Sequence, residues 1–548
     1  MDHKRSILFN SVLGSFMASM NISALVIALP AVFRGINIDP FSPLGFVAML
    51  WLILSYPFAV AVLVAIIGRI SDMYGKGRAF TLGSIVFTTA SLLLGLTPGS
   101  GAVAVYQMIA YRVLQGIGGA LMFSNSAAII ADVFPPSERG FAQGVVGISF
   151  AAGSVTGLLV GGLLAVVDWR LVFLVNVPFG ILNILWSYKV IYNVSPGTGR
   201  VQIDWLGAAI LAAGLFLILL GLALSTVPYG GHMLGWSNPL VWTSLIVGLA
   251  LVATLIPIER RVKTPMLRID LFSIRQFSLG VFSAFLLFMA QGANVFVLSI
   301  FLQAVYLPMN GMPYELTPLW AGIYLIPSSI ASAVFAPIGG KLVNKLGART
   351  VATLGAALMG VGFELLSSLP LNFHYALFAS IISLIGAGSG LFMSPNIVSI
   401  LSAVPSSLRA TASGMRAMVQ NIGTLLSFAV FMTLIVVGSA SALAPSIYNA
   451  LIGAGVPPSV AQLLLSTPPI VAFFAAFLGY NPMGTLVSLN HVQLSPSVYA
   501  EITKPQFFAN AIAPALLDGF RYAYHLAAAL AFIAAVLSAL RGKEVFVE

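Results

Sequence analysis

GRISDMYGKGR occupies residues 68–78. Four charged side chains, Arg69, Asp72, Lys76 and Arg78, stand among three glycines, while residues 46–67 before them and 79–96 after them hold no charge. A charged turn this short between two uncharged runs is what a chain makes when it leaves a bilayer, reverses and re-enters. Glycine supplies the sharp reversal, since it adopts backbone conformations that other residues resist.

The composition agrees. The chain has 548 residues, 59% hydrophobic and only 7% charged, against about 25% charged in soluble domains. The formal charge of +10 is spread in short clusters between apolar runs. It forms no single patch, which argues against a nucleic-acid partner. With no cysteine, disulfides, thiol catalysis and thiolate metal sites are excluded. No HExxH, Walker lysine or G-x-S-x-G elbow is present, and GAGSG at 386–390 lies inside an apolar run rather than after a strand. No enzyme and no cofactor is expected.

A span needs roughly 20 apolar residues. Fourteen such runs are expected: Ile7–Leu29, Phe46–Ile67, Ala79–Leu96, Val103–Ile130, Phe141–Val167, Leu171–Tyr192, Trp205–Leu224, Leu240–Ile258, Phe277–Phe301, Leu319–Ile338, Thr350–Leu369, Ala376–Leu401, Met418–Val437 and Phe520–Leu540. The first follows Lys4 and Arg5 without a small-residue cleavage site and reads as a retained span. With the N-terminus inside, the outer loops hold only Arg34, Arg170, Lys504 and Arg521 of the 25 basic residues, and Arg112 alone lies within a span. That asymmetry predicts both termini on the cytoplasmic side of a cell membrane. The segment 441–515 reads as a long outer loop, with TPPIVAFFAAFLGY (467–480) too short to span and expected to be re-entrant or interfacial.

The opening stretch has an echo. Gly68, Asp72 and Gly75 align with Gly340, Asn344 and Gly347 at an offset of 272 residues. Gly116, Gly118, Ala120 and Ser124 align with Gly386, Gly388, Gly390 and Ser394 at 270, as do Pro135, Arg139, Ala142 and Gly144 with Pro405, Arg409, Ala412 and Gly414. Each offset covers eight spans, so the halves point the same way. The expected plan is an all-α polytopic protein: a six-helix bundle over 1–195, two inserted helices and a linker over 196–275, and a second six-helix bundle over 276–548.

These motifs resemble the major facilitator superfamily. GRISDMYGKGR is similar to its loop motif G-x-x-x-D-x-x-G-[RK]-[RK]. Gly68, Asp72, Gly75 and Lys76 match, Gly77 departs, and Arg78 falls one place late. YRVLQGIGGA resembles the fourth-span motif through Arg112, Gln115, Gly116, Gly118 and Ala120. Gly144, Gly153, Gly157, Gly161 and Gly162 resemble the antiporter motif of the fifth span, with Leu158 where the family has proline. DWRLVFLVNVPFG (168–180) is similar to the sixth-span signature of the fourteen-span drug:proton antiporter branch.

The resemblance implies a multidrug efflux transporter working by alternating access. Its partners are the bilayer, a small-molecule substrate and protons; a monomer is expected. By the resemblance, spans 1, 4, 9 and 12 line the cavity, which gives Asn21, Arg112, Asn125, Gln291, Asn294 and Asn396; Tyr56 and Gln115 complete the set. Asn21 stands where the branch carries an aspartate. Arg112 is read either as a substrate or proton contact or as a structural donor to neighbouring carbonyls. Glu364 in span 11 is the mid-span acid, a candidate for proton coupling, and His525 in span 14 is a second titratable group. Asp72 is read as part of a cytoplasmic polar latch; Lys76 and Arg78 serve either that latch or topology. Gly153, Gly157 and Gly161 share one helix face suited to close helix approach. The alternative function is a facilitator or uptake carrier for a neutral or anionic solute, with Arg112 as the anion contact. A transport-dead scaffold is disfavoured by the intact motifs.

Overall fold

Gly75 is the whole connection between two long helices. It sits at φ 103°, a conformation open to glycine and little else. Gly347, its repeat partner, joins two later helices in the same way at φ 78°. In this computed structural model the described residues are 3–38, 43–194, 204–225, 227, 229–232, 234–259, 261–262, 268–405, 409–465, 475–476, 479 and 481–542.

The long helices in chain order are α1 (His3–Gly35), α2 (Pro43–Tyr74), α3 (Lys76–Gly95), α4 (Gly101–Val133), α5 (Pro136–Val167) and α6 (Asn176–Val190, after the single turn Leu171–Leu174). There follow α7 (Trp205–Ser225), α8 (Pro239–Glu259), α9 (Arg275–Met309), α10 (Thr317–Leu346), α11 (Ala348–Ser367), α12 (Tyr375–Ser402), α13 (Arg409–Gly453) and α14 (Pro505–Ala539). Among the described residues, 13 helices are long and apolar enough to cross a membrane. The one long helix outside that set is α2, whose described apolar run is Trp51–Val64. No strand occurs among the described residues.

α1 packs on α5 and α6, and α4 packs on α2 and α3. The later helices repeat this: α9 packs on α13 and α14, and α12 on α10 and α11. The repeated glycines make the same contacts. A Cβ on Gly116 would lie 2.7 Å from Tyr56 O on α2, and one on Gly386 would lie 2.0 Å from Ser328 O on α10. Gly118 abuts Phe87 N and Gly83 O on α3, and Gly388 abuts Gly355 O on α11. α7 and α8 form an antiparallel pair between the two sets.

Two boundaries differ from the sequence reading. α13 runs on to Gly453 and α14 begins at Pro505, so the connection expected over about 441–515 is shorter, and much of it is helical (Pro458–Leu463, Met483–Leu489, Pro496–Ile502). Hydropathy registers only the membrane-thick part of a helix. α13 has 45 residues, roughly 68 Å at 1.5 Å per residue, more than twice the hydrocarbon core. Its extension carries core residues on one face only, Leu443, Ile447 and Leu451. Most of the stretch TPPIVAFFAAFLGY lies outside the described residues.

α9 is irregular at mid-span. It breaks at Gly292–Ala293 between Gln291 and Asn294, and widens to a π-helical turn over Leu302–Tyr306 ahead of Pro308. The break is tolerated because Ser427 Oγ on α13 accepts a bond from Ala293 N at 2.9 Å.

Candidate functional site

Asn21 of α1 meets Arg112 and Gln115 of α4 in one buried network. Gln115 is its centre. Its Nε2 donates to Asn21 Oδ1 at 3.1 Å and to Ser91 Oγ of α3 at 2.8 Å; its Oε1 accepts from Asn21 Nδ2 at 3.2 Å and from Arg112 Nη1 at 2.6 Å. Arg112 Nε donates to Leu52 O of α2 at 3.2 Å, and its guanidinium lies 4.9 Å from the Tyr56 ring centroid. Asn21, Gln115, Arg112 and Tyr56 are all buried.

This arrangement accounts for Asn21. The reciprocal amide pair needs a side chain that both donates and accepts. Arg112 fixes which end of Gln115 is the oxygen. A carboxylate at position 21 would turn one of its oxygens toward that oxygen. Arg112 makes no ion pair with a carboxylate among the described residues. Its charge is held by an amide oxygen, a backbone carbonyl and an aromatic face.

The later helices carry separate polar contacts. Ser389 Oγ of α12 donates to Gln291 Oε1 at 3.3 Å, and Tyr524 Oη of α14 donates to Asn294 Oδ1 at 3.2 Å. Asn396 is buried with Oδ1 unpartnered, beside Gly280 of α9. Asn125 does not join the Gln115 network. Its Nδ2 donates to Ser71 Oγ at 2.9 Å and Leu121 O at 2.7 Å, tying α4 to α2 about three turns beyond Gln115. Ser91, Ser389, Ser427 and Tyr524 were not legible as site residues, because a serine or tyrosine in an apolar helix carries no sequence signal until a partner faces it.

Glu364 and His525 meet at 3.1 Å across α11 and α14. Both side chains are about half exposed on the outside of the helix assembly, remote from Arg112. In the loop motif, Lys76 Nζ pairs with Asp132 at the end of α4 at 2.8 Å, and Arg78 lies 5.6 Å from the Tyr192 ring. Both contacts stay within the first six helices. Gly68 has open space around it, and Gly340 faces Ser394 Oγ. The surroundings of Asp72, Asn344 and Gly144 lie outside the described side chains. Gly77, the departure from the loop motif, has a reason: a Cβ there would lie 1.9 Å from Ile191 O, where the end of α6 crosses α3.

The α5 glycines divide between two neighbours. A Cβ on Gly153, Gly157 or Gly161 would meet Phe16 O at 2.4 Å, Met20 O at 2.5 Å and Ala24 Cα at 2.6 Å on α1. Gly162 instead faces α10, where its Cβ would lie 2.8 Å from Leu319 Cα, and Gly322 of α10 faces Leu158 O at 2.5 Å. Glycine therefore seals α5 against α1 along its length and against α10 at one end.

The chain belongs to the major facilitator superfamily, whose family model matches residues 11–428. It is a multi-pass cell-membrane transporter, not an enzyme. It is 27% identical over 424 residues to multidrug resistance protein 3 of Bacillus subtilis, covering 77% of this chain and 78% of that protein. It is 26% identical over 435 residues to the riboflavin transporter RibZ of Clostridioides difficile, covering 79% and 88%. Among solved structures, a bacterial homologue of the human lysosomal transporter Spinster, inward-facing and unoccupied, matches with TM-score 0.55 at 16% identity over 98% of each chain. That likeness concerns the fold.

Proposed function

We propose that this transporter is a secondary active exporter of amphipathic, drug-like small molecules, driven by proton antiport and working as a monomer with both termini cytoplasmic. Residues 1–195 and 276–548 are the two bodies that rock about a midplane cavity, and α7 and α8 are the insert. The observation that carries this reading is the glycine seal of α5 against α1 and α10. A glycine seal at one end of the seam is the element an alternating-access carrier must close and reopen. The apolar walls and amide groups around Asn21, Gln291 and Asn294 suit amphipathic cargo, and resistance proteins among the relatives support export.

Within this reading Arg112 is a positioning residue that holds Gln115 and α2. We assign the exchangeable proton to Glu364, hydrogen-bonded to His525. The test is efflux of rhodamine 6G from proteoliposomes under an imposed pH gradient. Efflux accelerated by a gradient acid on the outer side is expected, and efflux indifferent to the gradient rejects antiport.

A second reading, uptake of a neutral or anionic solute, is favoured by the uncompensated guanidinium of Arg112 and by the riboflavin transporter among the relatives. Gradient-free counterflow of such a solute would establish it.

A further inference from the structure

The seam between the two bodies occurs twice, and the two copies are built differently. α5 meets α10, and α13 meets α2. The repeat carries α5 onto α13 and α2 onto α10, so each seam is the other's counterpart. In the first, Gly162 and Gly322 bring the backbones into contact. The 270-residue offset places Phe428 where the first seam has Leu158, and Met432 where it has Gly162. Large side chains hold helix axes at the ordinary separation of about 8–10 Å. Between those side chains lies a narrow crevice of about 20 Å³ walled by α2, α7, α9 and α13, which must widen by movement of a wall to admit more than a water-sized group.

Among the described residues the lining is aliphatic or aromatic, with no charged side chain. α7 forms its roof with Leu219, Leu222 and Ala223. The same helix packs with Ala61 and Val62 of α2 and with Met418 and Leu425 of α13, so it touches both bodies across the seam. Four aromatic rings stand in the walls. Trp51 lies edge-on to Phe58 at 5.7 Å, and Phe296 lies against Phe428 at 5.4 Å. Trp51 and Phe58 are only partly buried.

We propose that this crevice is a lateral binding site, entered from the bilayer, for the flat apolar portion of an amphipathic molecule, and that α7 is its movable wall. Aromatic walls favour an aromatic body, which gains edge and face contacts that a saturated chain does not. The inference rests on the exporter reading only for the role of its occupant. In each cycle α7 must part from α2 or from α13, because it cannot follow both bodies as they rock.

The natural chain has no cysteine, so single reporters give a clean signal. Ala223→Cys and, should it fold poorly, Ala429→Cys place a thiol in the crevice; Ala213→Cys on the exposed face of α7 is the control outside it. In proteoliposomes, N-phenylmaleimide should label the crevice thiol at least about tenfold faster than a sulfonated maleimide, because charge is excluded from hydrocarbon. Rhodamine 6G should slow labelling of the crevice thiol several-fold and leave the control unchanged. Equal slowing at both positions, or no slowing, would overturn the site. Slowing by lysophosphatidylcholine but not by rhodamine 6G would replace the aromatic occupant by an acyl chain and overturn the proposal as stated. Labelling and protection need no transport. Protection without pH-driven efflux would leave the site standing and sink the exporter reading, whereas undiminished efflux after complete labelling at position 223 would remove the crevice from the route.

Discussion

Three glycines within ten residues respond to the same substitution in opposite directions. Gly68, Gly75 and Gly77 all belong to the stretch at 68–78. Gly68 lies in the last third of α2 with no atom of the described residues within 4 Å of a Cβ, so Gly68→Ala should stabilise by about 0.5–1 kcal/mol through helix propensity and reduced chain entropy. Gly75 sits at φ 103° and ψ 127°; Gly75→Ala forces an L-residue into a conformation reserved for glycine, at about 1–3 kcal/mol. Gly77→Ala gains the same propensity as Gly68→Ala but puts a methyl carbon 1.9 Å from Ile191 O, and the carbonyl must retreat by about 1 Å to reach the 3.0 Å limit of real contacts. Overpacking of this kind costs about 1–3 kcal/mol, so the net effect is destabilising. The assay is thermal unfolding of purified protein in detergent, followed by the fluorescence of its seven tryptophans. Gly68→Ala should melt at or above the wild type, and the other two below it. A Gly77→Ala variant as stable as the wild type would refute the close crossing of α3 and α6, and with it the explanation of why this chain lacks a basic residue there.

Other substitutions test the site. Gly157→Val drives a side chain into Met20 O and should cost about 1–3 kcal/mol, with loss of rhodamine 6G efflux from proteoliposomes. Arg112→Lys keeps the charge but cannot serve both Leu52 O and Gln115 Oε1; losing one charged hydrogen bond should cost about 1.5–3 kcal/mol in thermal unfolding. Unchanged stability would show that the Gln115 network does not depend on the fork. Glu364→Gln keeps the shape beside His525 and removes the titratable oxygen; efflux should continue but lose its response to the pH gradient, and a retained response would clear Glu364 of proton coupling. Asn481→Ala frees the carbonyls of Ile502 and Lys504 and should loosen the segment before α14 by about 1–3 kcal/mol, seen as faster proteolytic cleavage between residues 454 and 504 with the transmembrane fragments intact.

The amino-acid sequence by itself determined the membrane class, the all-helical apolar architecture and the recurrence of the glycine motifs. Each rests on a local or additive property: about twenty apolar residues cross a bilayer whatever surrounds them, and a glycine that must turn a chain at positive φ recurs wherever that turn recurs. The family and the α5 glycine face were legible for the same reason. Tertiary structure alone decided what the polar residues do. Asn21 reads as a lost carboxylate until Gln115 faces it with an oxygen that Arg112 holds in place. Asn125 shares a helix with Arg112 yet serves a different contact. Glu364, read as mid-span from the sequence, sits in the last turn of α11 and turns outward to His525. The difference between the two seams was equally hidden, since Gly162 and Met432 are ordinary residues until the repeat is folded and one seam closes where the other stays open. A side chain's partner depends on helix rotation and on a neighbour hundreds of residues away, and neither is encoded in a local window.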